Sequence, residues 1–265
     1  PQEKVEAIRQ KRTSNIGKRR DLIVGTNIYP NATEKPLDAS IPDYKKMQRV
    51  RGEEIAEFRT SDSSGSHEAV LSSLENILKC EPEHLMEAAI EAAGQGATLG
   101  EISRTLWSGD GEKTSVTPIM IKRAAMEFET LRHQVEKAGG IPILQANLGP
   151  SRSYRARADW TSSFFQVGGF TMLNETDFDS DEEIVKATQK SGAAAVVICS
   201  TDDVYAERVT ELTTKLKALE SAPVVIVAGA AGEQEEEWKK AGVDEFVHIR
   251  VNCFELLNQL AEQFA

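Results

Sequence analysis

Asn147-Leu148-Gly149-Pro150-Ser151-Arg152-Ser153-Tyr154-Arg155-Ala156-Arg157-Ala158-Asp159-Trp160 is the stretch whose reading decides the fold. It follows the apolar run Ile141-Pro-Ile-Leu-Gln-Ala146, which reads as a strand, and it leads into Trp160, Phe164 and Phe165 on helical spacing. The stretch is therefore a strand-to-helix turn at the front of a βα series. In open α/β sheets the ligand crevice lies outside the carboxyl ends of the strands, and the first such turn usually carries the binding fingerprint. What this turn contains, and what it lacks, bears directly on function.

Outward from the turn the pattern repeats. Runs at Ile141–Ala146, Phe170–Leu173, Ala193–Cys199, Pro223–Ala228 and Glu245–Ile249 read as strands, with amphipathic segments between them and after the last. Such alternation requires right-handed crossovers, so residues 141–265 are expected to form a five-stranded parallel α/β domain of flavodoxin-like order 2-1-3-4-5.

Upstream the signals are mostly helical. Residues 2–15 look like a helix that Gly17 can end, and Asp21–Asn27 reads as a short strand. One helix and one strand cannot close a core, which makes this segment the expected tail of a larger preceding domain. Asn27–Pro36 reads as a loop and Tyr44–Arg59 as an exposed helix. Apolar residues at 70, 71, 74, 77 and 78 predict an amphipathic helix over Ser66–Leu78 with Ser66 as its N-cap. A second helix follows over Glu83–Ala93, and Thr98-Leu-Gly-Glu101 is a capping box opening a short third one through Trp107. Thr117-Pro118 opens a long helix through Ala138. Ser108–Ser115 is similar at first sight to a phosphate loop, but it follows a helix and lacks the required spacing, so no nucleotide site is read there.

Composition narrows the function classes. With 265 residues, 40% of them hydrophobic, the chain can build one large or two modest cores. A net charge of −11 argues against nucleic-acid or anionic-membrane surfaces, and the basic runs Lys11-Arg12 and Lys18-Arg19-Arg20 read as solvated helix ends. No stretch approaches the ~20 apolar residues of a membrane span, and no signal-peptide pattern opens the sequence, so the chain reads as cytoplasmic. Cys80, Cys199 and Cys253 are odd in number and far apart, as buried free thiols are and disulfide or zinc frameworks are not.

Three pieces together carry a family resemblance. Leu85-Met-Glu-Ala-Ala-Ile-Glu-Ala-Ala-Gly-Gln-Gly-Ala-Thr-Leu-Gly-Glu-Ile-Ser103 resembles the linker of methylmalonyl-CoA mutases, Asp21–Asn27 the last strand region of their substrate barrel, and residues 141–265 their cobalamin domain. The resemblance thus implies three parts: the end of a TIM-type (β/α) barrel over 1–30, a helical linker region over 31–140, and a cobalamin-binding-like domain over 141–265. In that family the first turn carries D-x-H-x-x-G, whose His ligates cobalt, whose Asp orients that His, and whose Gly admits the nucleotide tail. The matching positions here are Ser151, Ser153 and Ala156. A serine hydroxyl is a poor cobalt ligand, and nothing in the turn could orient an imidazole. The later motifs change as well: S-x-L becomes Cys199-Ser200-Thr201, G-G becomes Ala228-Gly229, and G-P-G-T becomes Ile249-Arg250-Val251-Asn252.

An intact scaffold with a degenerate motif resembles the small, non-catalytic subunit of heterodimeric methylmalonyl-CoA mutases, including its Leu148-Gly149-Pro150 turn. The resemblance implies an isomerase complex in which a homologous large subunit holds adenosylcobalamin and interconverts methylmalonyl-CoA and succinyl-CoA. This chain would bind no cofactor or metal and supply no catalytic residue, with Ser151, Ser153, Ala156, Thr201 and Gly229 as relics of the cofactor site. The alternatives are a working cobalamin-dependent acyl-CoA mutase or cobalamin-carrying module, which needs the ligating His, and a flavodoxin-like small-molecule binding module.

Other residues have plain readings beside functional ones. Arg152, Arg155 and Arg157 could meet an anion at the helix N-terminus, but pairing with nearby acids or a partner is favoured. Arg152, Tyr154 and the aromatic helix are expected to fill the crevice. Trp160, Phe164 and Phe165 read as packing, His248 as a satisfied structural histidine, and Asp202 and Asp203 as caps of the next helix.

Overall fold

The computed structural model describes residues 2–31, 42–61, 67–80, 82–107, 115–116, 118–173 and 177–264. They fall into two units, 1–35 with 118–265, and 36–117.

The larger unit is built on β1 (Pro142–Asn147), β2 (Thr171–Leu173), β3 (Ala195–Cys199), β4 (Val224–Ala228) and β5 (Glu245–Val247), all parallel, in the order β2-β1-β3-β4-β5. This is the expected doubly wound order. β3 and β4 are buried along their whole length, as a strand covered on both faces must be, and their Val- and Ile-rich runs suit that environment. The alternating side chains divide between two cores. Ile143, Val197 and Ile226 face one core, shared with helices over Met126–Lys137, Ser151–Gln166 and Cys253–Phe264. Leu144, Val196, Ile198 and Val227 face the other, shared with helices over Asp181–Ser191, Asp202–Lys217 and Glu235–Ala241. Gln145 and Asn147 are the buried polar residues of β1, and the Gln145 amide donates to the Ala158 carbonyl (2.7 Å) and to Ser162 Oγ (3.1 Å), joining the strand to the helix that follows.

In chain order the described α-helices are α1 (Gln2–Gly17), α2 (Tyr44–Thr60), α3 (His67–Cys80), α4 (Leu85–Gly94), α5 (Leu99–Leu106), α6 (Met126–Lys137), α7 (Ser151–Gln166), α8 (Asp181–Ser191), α9 (Asp202–Lys217), α10 (Glu235–Ala241) and α11 (Cys253–Phe264). Two expectations are corrected. Asp21–Asn27 is a turn with a single bridge, Val24 to Ile28, because buried Asn27 holds it locally. The Asn27 amide donates to the carbonyls of Ile16 and Asp21, and its oxygen accepts the Ile23 N–H. Arg132 then ties the turn to the sheet unit by donating to the Gly25, Thr26 and Val167 carbonyls. The helix expected from residue 117 begins only at Met126, where Phe128, Leu131 and Val135 first find the core; Ile121, just before it, is 92% exposed.

The smaller unit holds α2 to α5. Leu74 and Ala88, Ala92, Ala97 and Ile102 form its compact core. The capping box is present: the Glu101 N–H donates to Thr98 Oγ1, and the Glu101 carboxylate accepts the Thr98 N–H (2.8 Å) and the Arg59 guanidinium (2.6 Å). α2 buries none of its residues, as its charge density predicts. The Ser66 cap and most of the phosphate-loop-like run lie outside the described residues.

Candidate functional site

A doubly wound sheet has its ligand crevice where neighbouring strands send their helices to opposite faces. Here that point lies between β1 and β3. The Gly149-Pro150 turn after β1 leads into α7 on one face, and Ser200-Thr201 after β3 leads into α9 on the other. Gly149 takes φ +79, a left-handed conformation that glycine adopts freely, and Pro150 is extended at the front of α7.

The chain's own side chains close this point. Arg157, in the second turn of α7, crosses the strand ends: one guanidinium nitrogen donates to the Ser200 carbonyl (2.7 Å) and another to the Asp202 carboxylate (2.6 Å). Its carbon ζ stands 4.9 Å from the centroid of the Tyr205 ring. Tyr205, from α9, is 1% exposed, and its hydroxyl accepts the Ser200 N–H (2.9 Å) while facing the carbonyls of Ala228 (2.8 Å) and Ile198 (3.1 Å). Ser200 Oγ completes the closure by donating to the Leu148 carbonyl (2.8 Å). A Cβ at Gly229 would stand 3.5 Å from both Arg157 and Tyr205, so these two side chains reach the fourth strand. Loops from β1, β3 and β4 are thereby joined through one cation, one phenol and one serine.

The residues singled out in the sequence separate accordingly. Arg157 pairs with an acid, as expected, and Arg155 approaches Asp159 at 4.0 Å on the exposed side of α7. Arg152 is exposed and does not fill the crevice, which corrects that part of the expectation. Tyr154 packs against the first core, and Phe164 and Phe165 are fully buried in it. Asp202 does not cap α9; the N-cap is Thr201, without a side-chain bond, and the Asp202 carboxylate serves Arg157 instead. His248 Nδ1 accepts the Arg250 N–H at 3.2 Å, the local satisfaction of a structural histidine. Tyr205 was missed in the sequence. Its spacing in α9 with Val209, Leu212 and Leu216 reads as core, and only the depth of its hydroxyl at the strand ends shows the second role.

Chemistry at the site is limited. Ser151, Ser153 and Ala156 all lie on the first two turns of α7, where residues two apart point to different sides, so positions 151 and 153 do not face each other. Burial pushes the thiols of Cys199 and Cys253 up to about 12, which keeps both protonated and poor as ligands or nucleophiles. Burial also raises the Tyr205 phenol above its ordinary range. Among the described residues no group of three or more His, Cys, Asp or Glu could hold a metal ion, and no helix is long and apolar enough to cross a membrane.

Fold and site define a class: a flavodoxin-like α/β chain whose switch-point crevice is occupied by its own Arg157 and Tyr205. The relationship to known proteins is more particular. The family model described as methylmalonyl-CoA mutase matches residues 1–112. The methylmalonyl-CoA mutase small subunit of Porphyromonas gingivalis is 26% identical over 264 residues, which is 99% of this chain and 32% of that protein. The small subunit of Streptomyces virginiae is 28% identical over 44% of this chain and 20% of its own length. The large subunit of P. gingivalis is 31% identical over 39% of this chain and 14% of its own length. The chain is thus related to the methylmalonyl-CoA mutases, with small subunits among its relatives, as its residues implied. It spans about a third of the length of the P. gingivalis small subunit.

Proposed function

We propose that this chain serves as a non-catalytic subunit of a heterodimeric, adenosylcobalamin-dependent methylmalonyl-CoA mutase, supporting a homologous large subunit that interconverts methylmalonyl-CoA and succinyl-CoA. One observation carries the reading: Arg157 and Tyr205 stand where an open α/β sheet of this order would receive a ligand. The residues present do not fit the corrin cofactor. Ser153 offers no imidazole, its helical setting gives Ser151 no line to it, and the crevice behind it is bonded shut from Leu148 to Ala228. No chemical step is therefore assigned to this chain. The residues 1–30, in this reading, belong to the end of the substrate barrel and 31–140 to the linker. The separate large and small subunits of P. gingivalis support a two-chain arrangement.

Co-expression with a homologous large subunit tests the proposal. The two chains should co-elute in size-exclusion chromatography, and cobalamin absorbance should follow the large chain. Hydroxocobalamin added to this chain alone should keep its free spectrum. A saturable spectral shift with one site per chain would favour a cobalamin-carrying module instead.

A further inference from the structure

Residues 1–35 group with 118–265 in the larger unit, and the seam that joins them is built from buried groups. The Arg132 guanidinium, on α6, donates to the Gly25 carbonyl (2.8 Å), the Thr26 carbonyl (2.6 Å) and, through Nε, the Val167 carbonyl at the end of α7 (2.9 Å). One planar fork thus partners backbone from two segments more than 100 residues apart. Gly169 admits the approach: it takes φ +85, and a Cβ there would stand 3.3 Å from the Arg132 Cα. The end of α1 is seated as closely. Ile16 is buried in the first core and Ile23 packs against it, while a Cβ on Gly17 would lie 2.9 Å from Asn252 Oδ1 and 3.3 Å from Phe254 Cβ. Phe254 in turn meets Phe128 of α6 edge-on at 5.5 Å. Two bulky residues bracket the seam in left-handed backbone, Arg19 at φ +55 and Tyr29 at φ +49. Such conformations persist only where the surrounding structure over-determines them.

We propose that residues 16–29 form a clasp that makes the segment carrying α1 and the α/β sheet one cooperative body, with no hinge between them. Domain boundaries fall in exposed linkers that few contacts cross, whereas here Thr26 and Asn27 are buried and Ile16 belongs to the core of the sheet unit. Opening the seam would return Arg132 and three carbonyls to water and uncover Ile16 at the same time, so the polar and apolar gains are lost together. On the reading given under Proposed function, and resting on it in this respect alone, the end of the substrate barrel is carried rigidly by the sheet domain.

Amide hydrogen exchange on the full chain, read residue by residue, tests the clasp. The reporters in the seam are the N–H groups of Ile23, bonded to Asn27 Oδ1, and of Gly25, Thr26 and Asn27, bonded to the Ile28 and Ile23 carbonyls. Those in the sheet are Leu148 and Val224, bonded to the carbonyls of Cys199 and Ala194. In one cooperative body both sets exchange through the same opening, so their protection factors should agree within about tenfold. Arg132→Met should lower protection about 10- to 100-fold in both sets alike, since it removes charge-assisted bonds that only the closed seam makes. Seam amides protected more than a hundredfold less than Leu148 and Val224 in the unaltered chain would overturn the proposal, and that comparison stands whether or not the variant folds. An Arg132→Met chain that keeps full protection at Leu148 and Val224 would overturn it as well. Failure of the two-subunit reading would appear as lost co-elution and would leave these protection factors unchanged.

Discussion

The guanidinium of Arg157 lies over the ring of Tyr205, so a cation from the helix on one face of the sheet meets an aromatic from the helix on the other face. The contact spans the point where β1 and β3 send their helices apart. A flavodoxin-like sheet left empty there would have a polar cleft lined by strand-end carbonyls that need partners. Arg157, Tyr205 and Ser200 supply those partners from within the chain.

The first prediction follows from how Arg157 is held. Its bond to the Ser200 carbonyl and its place over Tyr205 are partly buried, whereas the Asp202 carboxylate it also meets is 79% exposed and screened by water. Arg157→Ala should therefore lower unfolding stability by about 1–3 kcal/mol, and Asp202→Ala by at most about 1 kcal/mol. Urea denaturation of the two variants separates the effects. An Asp202→Ala cost equal to that of Arg157→Ala would place the energy in the exposed ion pair instead.

Tyr205→Phe keeps the ring and removes only the hydroxyl. The buried Ser200 N–H then loses its acceptor and the Ala228 carbonyl its donor, which should cost about 1–3 kcal/mol. Because Arg157 and Tyr205 touch, Tyr205→Ala and Arg157→Ala should couple: the double variant should lose less than the two single losses added together. Strict additivity, again by urea denaturation, would mean that the stacked arrangement contributes nothing.

The sheet was legible because its signals are local and repeated: five apolar runs, each bounded by turn residues, give both strand number and direction, and the observed limits differ from the expected ones by no more than two residues. The serine at position 153, where the resemblance implies a histidine, is a matter of residue type and needs no fold to be seen. What filled the crevice was not legible. Arg152, Arg155 and Arg157 look alike in sequence, and only the helical phase of α7, fixed when Ala158, Phe164 and Phe165 bury themselves, turns Arg157 alone toward β3. The false strand at Asp21–Asn27 has a related cause. Its apolar middle suggested extended backbone, but the three hydrogen bonds of Asn27 fold it back on itself.

In the smaller unit, acid should loosen the start of α5. Bonds from the Thr98 backbone and hydroxyl, with the Arg59 guanidinium beyond them, hold the Glu101 carboxyl down to about 2 from an ordinary value of 4.5. A carboxyl lowered in the folded state adds stability that is present above pH 4.5 and lost as the pH falls from there toward 2. Thr98→Ala should cost about 1 kcal/mol at neutral pH. Glu101→Gln should flatten that part of the pH dependence, measured by helical circular dichroism between pH 6 and 2. A variant that still loses the same signal over the same range would remove Glu101 as its source.

The last prediction concerns repair of the cobalamin motif. Ser153→His places an imidazole on the first turn of α7, where the backbone is already committed: the Ser153 N–H donates to the Pro150 carbonyl at 2.7 Å, and the helix continues without a break. The imidazole would lack a carboxylate to fix its tautomer, and losses of that kind typically cost ~10- to 100-fold in metal affinity. Adding Ser151→Asp should not supply it, because residues two apart on a helix do not face each other. Behind the new ligand Arg157 would still bond to Ser200, and Tyr205 to Ala228, across the path that a cofactor tail would need. Neither the single nor the double variant should shift the spectrum of micromolar hydroxocobalamin. Tight binding restored by Ser153→His alone would show that the crevice opens readily and that only the ligand was lost, and the non-catalytic reading would then rest on one side chain.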